Sequence, residues 1–152
     1  HKVRQKAHDA GVPVVLNAAP ARGLTGADLE GIGVLIVNRV EASDLLGRAP
    51  LDTNCTDTDW ADTDWADSVH GLQKLVPGTD IIVTLGGDGV CYARGNQAPR
   101  HQPARKAVVR STHGAGDVFV GTFAAACLNG IPFETAIEKA QAAASNHISA
   151  GR

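Results

Sequence analysis

The 152-residue sequence is short of several features, and each shortage narrows what the protein can be. It has no methionine and only 4% aromatic residues, and its acidic and basic residues nearly balance at a formal net charge of −2. So small a charge provides no general attraction to nucleic acid or to a membrane surface, and neither is expected as a partner. No apolar run approaches the ~20 residues that span a bilayer, so no transmembrane helix is expected.

Cysteine is also scarce: Cys55, Cys91 and Cys127 are odd in number, widely separated and without CxxC spacing. This pattern favours free thiols in a reducing compartment and disfavours a zinc site. No signal peptide is recognisable at the start, so the expected location is the cytoplasm. Because methionine is absent and the chain begins within a helix-compatible segment, we expect a piece of a longer protein.

Short apolar runs rich in β-branched residues alternate with helix-compatible segments along the chain. Such runs predict strands buried on both faces, and the alternation predicts an α/β fold with a mainly parallel sheet. The predicted strands are 12–16, 33–37, 81–85 and 90–93, with a weaker one at 106–109. The predicted helices are 1–10, 25–30, 41–46, 65–75, 116–128 and 134–148.

An acidic segment interrupts this pattern, where Thr58–Asp62 (TDWAD) is repeated directly as Thr63–Asp67. Six aspartates and no basic residue fall between Asp52 and Asp67, which leaves 14 basic against 10 acidic residues elsewhere. A calcium loop is one interpretation of the Asp-x-Asp spacing, but the central Gly and the closing Glu of an EF-hand loop are missing. We favour a solvated, Asp-rich loop inserted at 49–67.

The most informative segment places three small residues, Gly114, Ala115 and Gly116, directly before Asp117 and an apolar predicted helix. A glycine-rich turn that opens a helix leaves backbone N–H groups without partners, and the helix dipole adds positive potential there. Such a turn binds phosphate, and an adjacent carboxylate is placed to act as a base. The segment therefore indicates phosphoryl transfer. The alternative is a plain turn in which Asp117 is only a favourable charge at the helix start.

Three further segments stand at the carboxyl ends of predicted strands, where ligands of parallel sheets bind. They are Leu16-Asn17-Ala18-Ala19-Pro20-Ala21, Asn38-Arg39-Val40-Glu41 and Thr84-Leu85-Gly86-Gly87-Asp88-Gly89-Val90. Each also has a purely structural interpretation: a turn-forming Asn, a helix-capping box and a glycine-rich hairpin turn, respectively.

Together these four segments, in this order and spacing from about residue 7 to 148, resemble the ribokinase-like (PfkB-type) carbohydrate kinase family. The resemblance covers only the C-terminal half of a family member. It implies a three-layer α/β/α fold of which residues 1–152 form a partial domain, and an ATP-dependent kinase that phosphorylates a sugar hydroxyl.

The resemblance also implies roles for individual residues. Asp117 is the implied catalytic base, and Gly114, Ala115 and Gly116 form the implied anion hole. Asn38 and Glu41 are implied to hold Mg²⁺ and the ATP phosphates. The implied nucleotide contacts are Asn17, Thr84, Gly86, Gly89 and, at the position where the family often has Asn or His beside the adenine, Gln141. A solvated or packing role for Gln141 is an equal alternative.

The segment before the anion hole departs from the family pattern. Ser111-Thr112-His113 stands where the family usually has Asp-Thr-Thr, and its monovalent-cation site uses that acid together with nearby carbonyls. Ser111 carries no charge, so potassium is not expected as a cofactor. His113 either donates to a phosphate or is a surface residue; related vitamin kinases carry Thr-His-Gly there.

His113 therefore keeps a second function open, a pyridoxal or hydroxymethyl-pyrimidine kinase. Against this function, Gly116-Asp117 keeps the acid of the sugar kinases, where many of those vitamin kinases carry Cys. A third possibility is a non-catalytic nucleotide-binding fragment, because the family's sugar-binding half is absent. A sheet truncated on one side exposes an open edge, which makes a homodimer a further expectation.

Overall fold

The computed structural model describes residues 2–48, 62–105 and 107–150. The chain divides into two compact units, His1–Gln102 and Pro103–Arg152, which are described separately below. Most of the predicted acidic loop, residues 49–61, lies outside the described residues. The calcium-loop interpretation concerns these residues and therefore also falls outside the described part of the chain. Within the described part of the chain, no helix is both long and apolar enough to cross a membrane.

The secondary structure follows the predicted order. The helices are α1 (Lys2–Asp9), α2 (Gly26–Leu29), α3 (Arg39–Leu45), α4 (Asp62–Leu75), α5 (Ala115–Leu128) and α6 (Phe133–Ala150). The strands are β1 (Val15–Asn17), β2 (Val34–Asn38), β3 (Asp80–Thr84), β4 (Val90–Ala93) and β5 (Arg100–Gln102). Helix α4 begins three residues earlier than expected, within the predicted loop insertion.

The first unit is built on one five-stranded sheet in the order β1-β2-β3-β4-β5. Strands β1, β2 and β3 are parallel, whereas β4 and β5 are added antiparallel. The connections after β3 and β4 are short turns, which join antiparallel neighbours; a parallel pair needs a crossover of a dozen or more residues. The expected α/β class is confirmed, with the parallel part of the sheet at the start of the chain.

The strand predicted at 106–109 is wrong. Residues 107–109 form no strand, with Val108 75% and Val109 60% exposed, and Lys106 lies outside the described residues. The fifth strand is Arg100–Gln102, which pairs only with β4 and has no buried position. An edge strand with polar, exposed side chains carries no apolar signal, so a search for buried runs misses it.

One face of this sheet packs against α2, α3 and α4. The core on that face includes Leu35 and Ile81 from the sheet, Leu29 from α2 and Leu72 from α4, and all four are fully buried. On the opposite face, Ile36 is paired with Ile82, and both are also buried. Burial of both faces explains why these strands are continuous apolar runs rather than alternating ones.

The second unit consists of α5 and α6 and the loop that precedes them. Phe123 of α5 meets Phe133 of α6 edge-to-face, with ring centroids 5.4 Å apart. Both rings are buried, so the aromatic contact fixes how the start of α6 lies against the middle of α5. The relative position of these two helices determines what surrounds the start of α5.

Candidate functional site

Three of the predicted residues stand together at one edge of the sheet. Asn17 ends β1, Asn38 ends β2 and Thr84 ends β3, and these strands are parallel neighbours. In the register, Asn38 lies directly opposite Thr84. The structure therefore confirms that these polar side chains share the carboxyl edge of the sheet, where ligands of parallel sheets bind.

Asn38 and Glu41 form a reciprocal capping box at the start of α3. The Asn38 side-chain oxygen accepts from the Glu41 amide at 2.9 Å, and a Glu41 carboxylate oxygen accepts from the Asn38 amide at 2.8 Å. The structural interpretation of this motif is thus correct. It leaves the ligand role open, because the second carboxylate oxygen retains its lone pairs.

The charge on Glu41 is costly in this position. Partial burial raises the pKa of its carboxyl group, against the lowering effect of the Asn38 amide, and the neighbouring Asp44 raises the pKa further. A carboxylate in this state is stabilised by a bound cation, since opposite charge favours its ionised form. Among the described residues, no group of three or more His, Cys, Asp and Glu could hold a metal. Any divalent ion here therefore relies on Glu41, an amide oxygen, water and phosphate, which suits Mg²⁺.

The Gly86–Gly89 segment is the tight turn between β3 and β4, as the hairpin interpretation expects. Gly86 has φ of +63°, and Gly89 has φ of +99° with ψ of −130°, a region open essentially to glycine alone. The Leu85 amide donates to the Gly89 carbonyl at 2.8 Å and closes the turn. No atom lies within 4 Å of a Cβ placed on Gly86, so space is left there for a ligand to approach the backbone.

A charged contact that sequence reasoning missed joins two of these segments. The Arg39 guanidinium, at the start of α3, forms an ion pair with the Asp88 carboxylate of the glycine turn. The Asp88 carbonyl also bonds to the His101 ring at 2.7 Å. Arg39 and Asp88 both occur inside motifs already singled out, but they are 49 residues apart and nothing in the sequence indicates that they pair. The contact ties the glycine turn to the start of α3.

In the second unit, the predicted anion hole is the start of α5. Gly114 precedes the helix in the left-handed conformation at φ +76°, and its carbonyl accepts from the Val118 amide at 3.0 Å. The Ala115 amide donates to the Thr112 carbonyl at a long 3.3 Å. The amides of Gly116 and Asp117 fall in the first turn, where helical N–H groups have no carbonyl partner four residues back.

Asp117 is the third residue of α5, and its side chain is exposed. The carboxylate is therefore open to a substrate at the positive end of the helix dipole. His113, just before the turn, is also exposed, and its amide bonds to the Ser111 hydroxyl at 3.3 Å. Gln141 differs: it is only 6% exposed on α6, so its packing interpretation has the stronger support.

The end of α6 holds the loop before the anion hole, a feature that sequence reasoning also missed. The amides of Arg110 and Ser111 donate to the Ile148 carbonyl at 2.9 and 3.3 Å. His147, which precedes Ile148 on α6, makes a second contact with this loop: its ring nitrogen Nε2 bonds to the His113 carbonyl at 2.8 Å. No motif marks His147, because the contact spans 34 residues and depends on how α5 and α6 pack.

Comparison with known proteins gives a consistent result. The model of the pfkB family carbohydrate kinases matches residues 1–151. A ribokinase of Schizosaccharomyces pombe is 31% identical over 134 residues, which cover 88% of this chain and 40% of that protein. The bifunctional protein HldE of Actinobacillus pleuropneumoniae is 32% identical over 143 residues, which cover 92% of this chain and 27% of that protein.

Solved structures agree with the sequence relatives. The ribokinase of Arabidopsis thaliana, complexed with ribose and ATP, superimposes with a TM-score of 0.80 at 29% identity, covering 96% of this chain and 44% of that one. The ribokinase of Thermotoga maritima gives a TM-score of 0.73 at 26% identity, covering 97% and 46%. The fold is thus ribokinase-like, and the chain spans less than half the length of these relatives.

Proposed function

Because the chain belongs to the pfkB family of carbohydrate kinases, we propose that it carries the phosphoryl-transfer part of an ATP-dependent kinase acting on a sugar hydroxyl. The observation that carries the proposal is the start of α5. There an exposed carboxylate, Asp117, follows a left-handed glycine and lies among amides that have no helical partner. The Arabidopsis relative solved with ribose and ATP supports a sugar acceptor and an ATP donor.

The proposed chemistry uses these groups in sequence. The acceptor hydroxyl gives its proton to the Asp117 carboxylate as its oxygen attacks the terminal phosphorus of ATP, and ADP leaves. Negative charge spread over the transferring phosphoryl oxygens is stabilised by the amides of Gly114, Ala115 and Gly116. The Ala115 amide already donates to the Thr112 carbonyl at a long 3.3 Å, so donation to a phosphoryl oxygen would replace a weak hydrogen bond.

In the first unit, we assign nucleotide binding to the carboxyl edge of the sheet. Asn17, Thr84 and the backbone of Gly86 and Gly89 are the proposed contacts for ribose and phosphates. Mg²⁺, when bound, neutralises phosphate charge. Glu41 and Asn38 are its proposed protein ligands, because they stand together at the carboxyl edge of the sheet and supply the oxygens that Mg²⁺ prefers. His113 is the proposed additional phosphate contact, and Gln141 is proposed beside the adenine, with its burial favouring the packing interpretation.

The test is the variant Asp117→Asn, which keeps the size of the side chain and removes its basicity. We expect transfer to fall by about 100-fold or more, since a positioned base contributes roughly that factor. Mg-ATP affinity, measured by calorimetry, should change little. The rate is measured in a form of the protein that transfers phosphate.

Glu134→Gln is the matched control, because Glu134 is the acidic residue in the first turn of α6. If Asp117 were only a favourable helix-start charge, both variants would lose a little stability and neither would lose transfer. Retained turnover in Asp117→Asn would overturn the assignment of the base.

The exposed His113 before the anion hole keeps a vitamin-type kinase as a second candidate. A panel of pentoses, hexoses, nucleosides, pyridoxal and hydroxymethyl-pyrimidine separates the two, and we expect a sugar to be the preferred acceptor. Calorimetry of this chain with Mg-ATP addresses the third interpretation. Binding of Mg-ATP without transfer to any acceptor would favour a non-catalytic nucleotide-binding fragment, whereas absence of binding would favour an inactive piece of a kinase.

A further inference from the structure

The loop from residue 110 to 114, which leads into the proposed anion hole, is attached to the carboxyl end of α6. Ile148 accepts the amides of Arg110 and Ser111, and its neighbour His147 binds the His113 carbonyl. The Ile148 carbonyl lies in the last turn of α6, where helical carbonyls lack intrahelical partners. The loop thus supplies donors to the helix end at one point and receives a donor from it at the other.

We propose that His147 is a positioning residue for phosphoryl transfer, fixing the turn at Gly114 and therefore the first-turn amides and Asp117. This inference rests on the proposed function of α5. The contact lies one residue before Gly114, whose left-handed conformation sets the direction in which α5 begins. A hydrogen bond to the carbonyl at residue 113 restrains the peptide unit that enters this turn.

The chemistry of the contact defines the form of the ring. A carbonyl oxygen only accepts, so His147 Nε2 must carry the hydrogen. That condition holds both for the neutral Nε2–H tautomer and for the imidazolium.

The same contact conflicts with a monovalent cation in this loop. A cation of this kind is held by oxygens, with carbonyls and a carboxylate as the suitable donors. Here the His147 N–H, bonded to the His113 carbonyl at 2.8 Å, places a positive hydrogen beside that oxygen. Ser111 is uncharged, and its hydroxyl accepts from the His113 amide. Within the described residues 107–150, this loop and the end of α6 do not fit a cation, and we infer that the His147 ring restrains the loop in its absence.

The test uses three variants of neighbouring positions on α6. His147→Ala removes the donor, His147→Gln returns a side-chain N–H of similar reach, and Asn146→Ala changes the adjacent exposed residue as the control. The first measurement is amide hydrogen exchange at Val118, whose bond to the Gly114 carbonyl reports the formation of the turn. We expect exchange to accelerate about 5-fold in His147→Ala and to return toward wild type in His147→Gln.

The second measurement is steady-state kinetics in a form of the protein that transfers phosphate. In His147→Ala we expect kcat to fall about 10- to 100-fold with KM for ATP little changed, because the loss is one of alignment. The wild-type rate should be equal in potassium chloride and in choline chloride at one ionic strength.

Unchanged Val118 exchange in His147→Ala, or a wild-type rate that requires potassium, would overturn the proposal. If the wild type transfers no phosphate to any acceptor, the proposed function fails, while the exchange measurement still decides whether His147 fixes the turn.

Discussion

At the scale of single residues, Gly114 is restricted by two independent constraints. Its φ of +76° lies in the left-handed region, and a Cβ built on it would stand 3.3 Å from His147 Nε2. The first constraint is predictable from sequence, because a small-residue run before a helix indicates a special backbone conformation. The second is not, since it depends on a histidine 33 positions later brought close by the packing of α5 against α6.

We predict that Gly114→Ala lowers the free energy of unfolding by roughly 1–2 kcal/mol, the cost of a left-handed conformation for an L-residue. Gly121→Ala, on the same helix, is the matched control. Gly121 has an ordinary φ and no atom within 4 Å of a built Cβ, so alanine should stabilise the helix by up to about 1 kcal/mol. Urea unfolding of both variants measures the difference.

A double variant separates the two constraints on Gly114. In the His147→Ala background the close approach is gone, so Gly114→Ala should cost less there than in the wild type. Equal costs in the two backgrounds would contradict a direct effect of the His147 ring on this position.

At the scale of elements, the start of α3 unites two interpretations that the sequence leaves open. The Asn38–Glu41 capping box is formed, and the same residues stand at the sheet edge proposed for Mg-ATP. A cap satisfies amides at a helix start, and a ligand site needs oxygens at that same place, so one motif can do both.

Substitutions at Asn38 distinguish the cap from the ligand role. Asn38→Ala should cost about 1 kcal/mol of stability by removing the cap, and Asn38→Ser should restore most of it, because serine is a good cap. If the amide also contacts Mg-ATP, Asn38→Ser should regain stability without regaining affinity. Thermal unfolding and Mg-ATP calorimetry on the same samples give the two readouts.

Thr25→Ala is the control for the Asn38 variants. The Thr25 hydroxyl bonds to the Asp28 carboxylate at 2.7 Å at the start of α2, outside the predicted site residues. Its loss should lower stability without changing nucleotide affinity. A parallel loss of both properties in Thr25→Ala would show that affinity merely follows stability.

The elements that the sequence predicts well are those with strong apolar runs. Strand β2 has four buried residues out of five, and its predicted bounds lie within one residue of the observed ones. Strand β4 is buried throughout, and its predicted bounds match the observed ones. Strand β5 has no such run, and its position follows from the turn after β4 rather than from its own residues. The Arg39–Asp88 ion pair is similarly invisible, because it requires the register of β2 against β3 before the two segments meet.

At the scale of the whole molecule, the core of the first unit offers a probe of cooperative unfolding in Cys91 of β4. The side chain is fully buried in the cluster beneath α3 and α4, and this burial raises the pKa of its thiol to about 12. Alkylation requires both thiolate and access to the reagent, and the folded sheet denies both near neutral pH. Reaction should therefore occur only through opening of the sheet.

We predict that a Cys55→Ser, Cys127→Ser variant, in which Cys91 is the remaining thiol, resists iodoacetamide in native buffer and reacts along the urea transition seen by circular dichroism. A variant retaining Cys127 instead should react in native buffer, because that side chain is partly exposed. Rapid native alkylation of Cys91 would mean that the sheet of this chain opens locally at β4. Such opening would also loosen the glycine turn between β3 and β4. The same variant should then bind Mg-ATP more weakly, because the nucleotide contacts proposed at the edge of the sheet depend on the stability of the sheet.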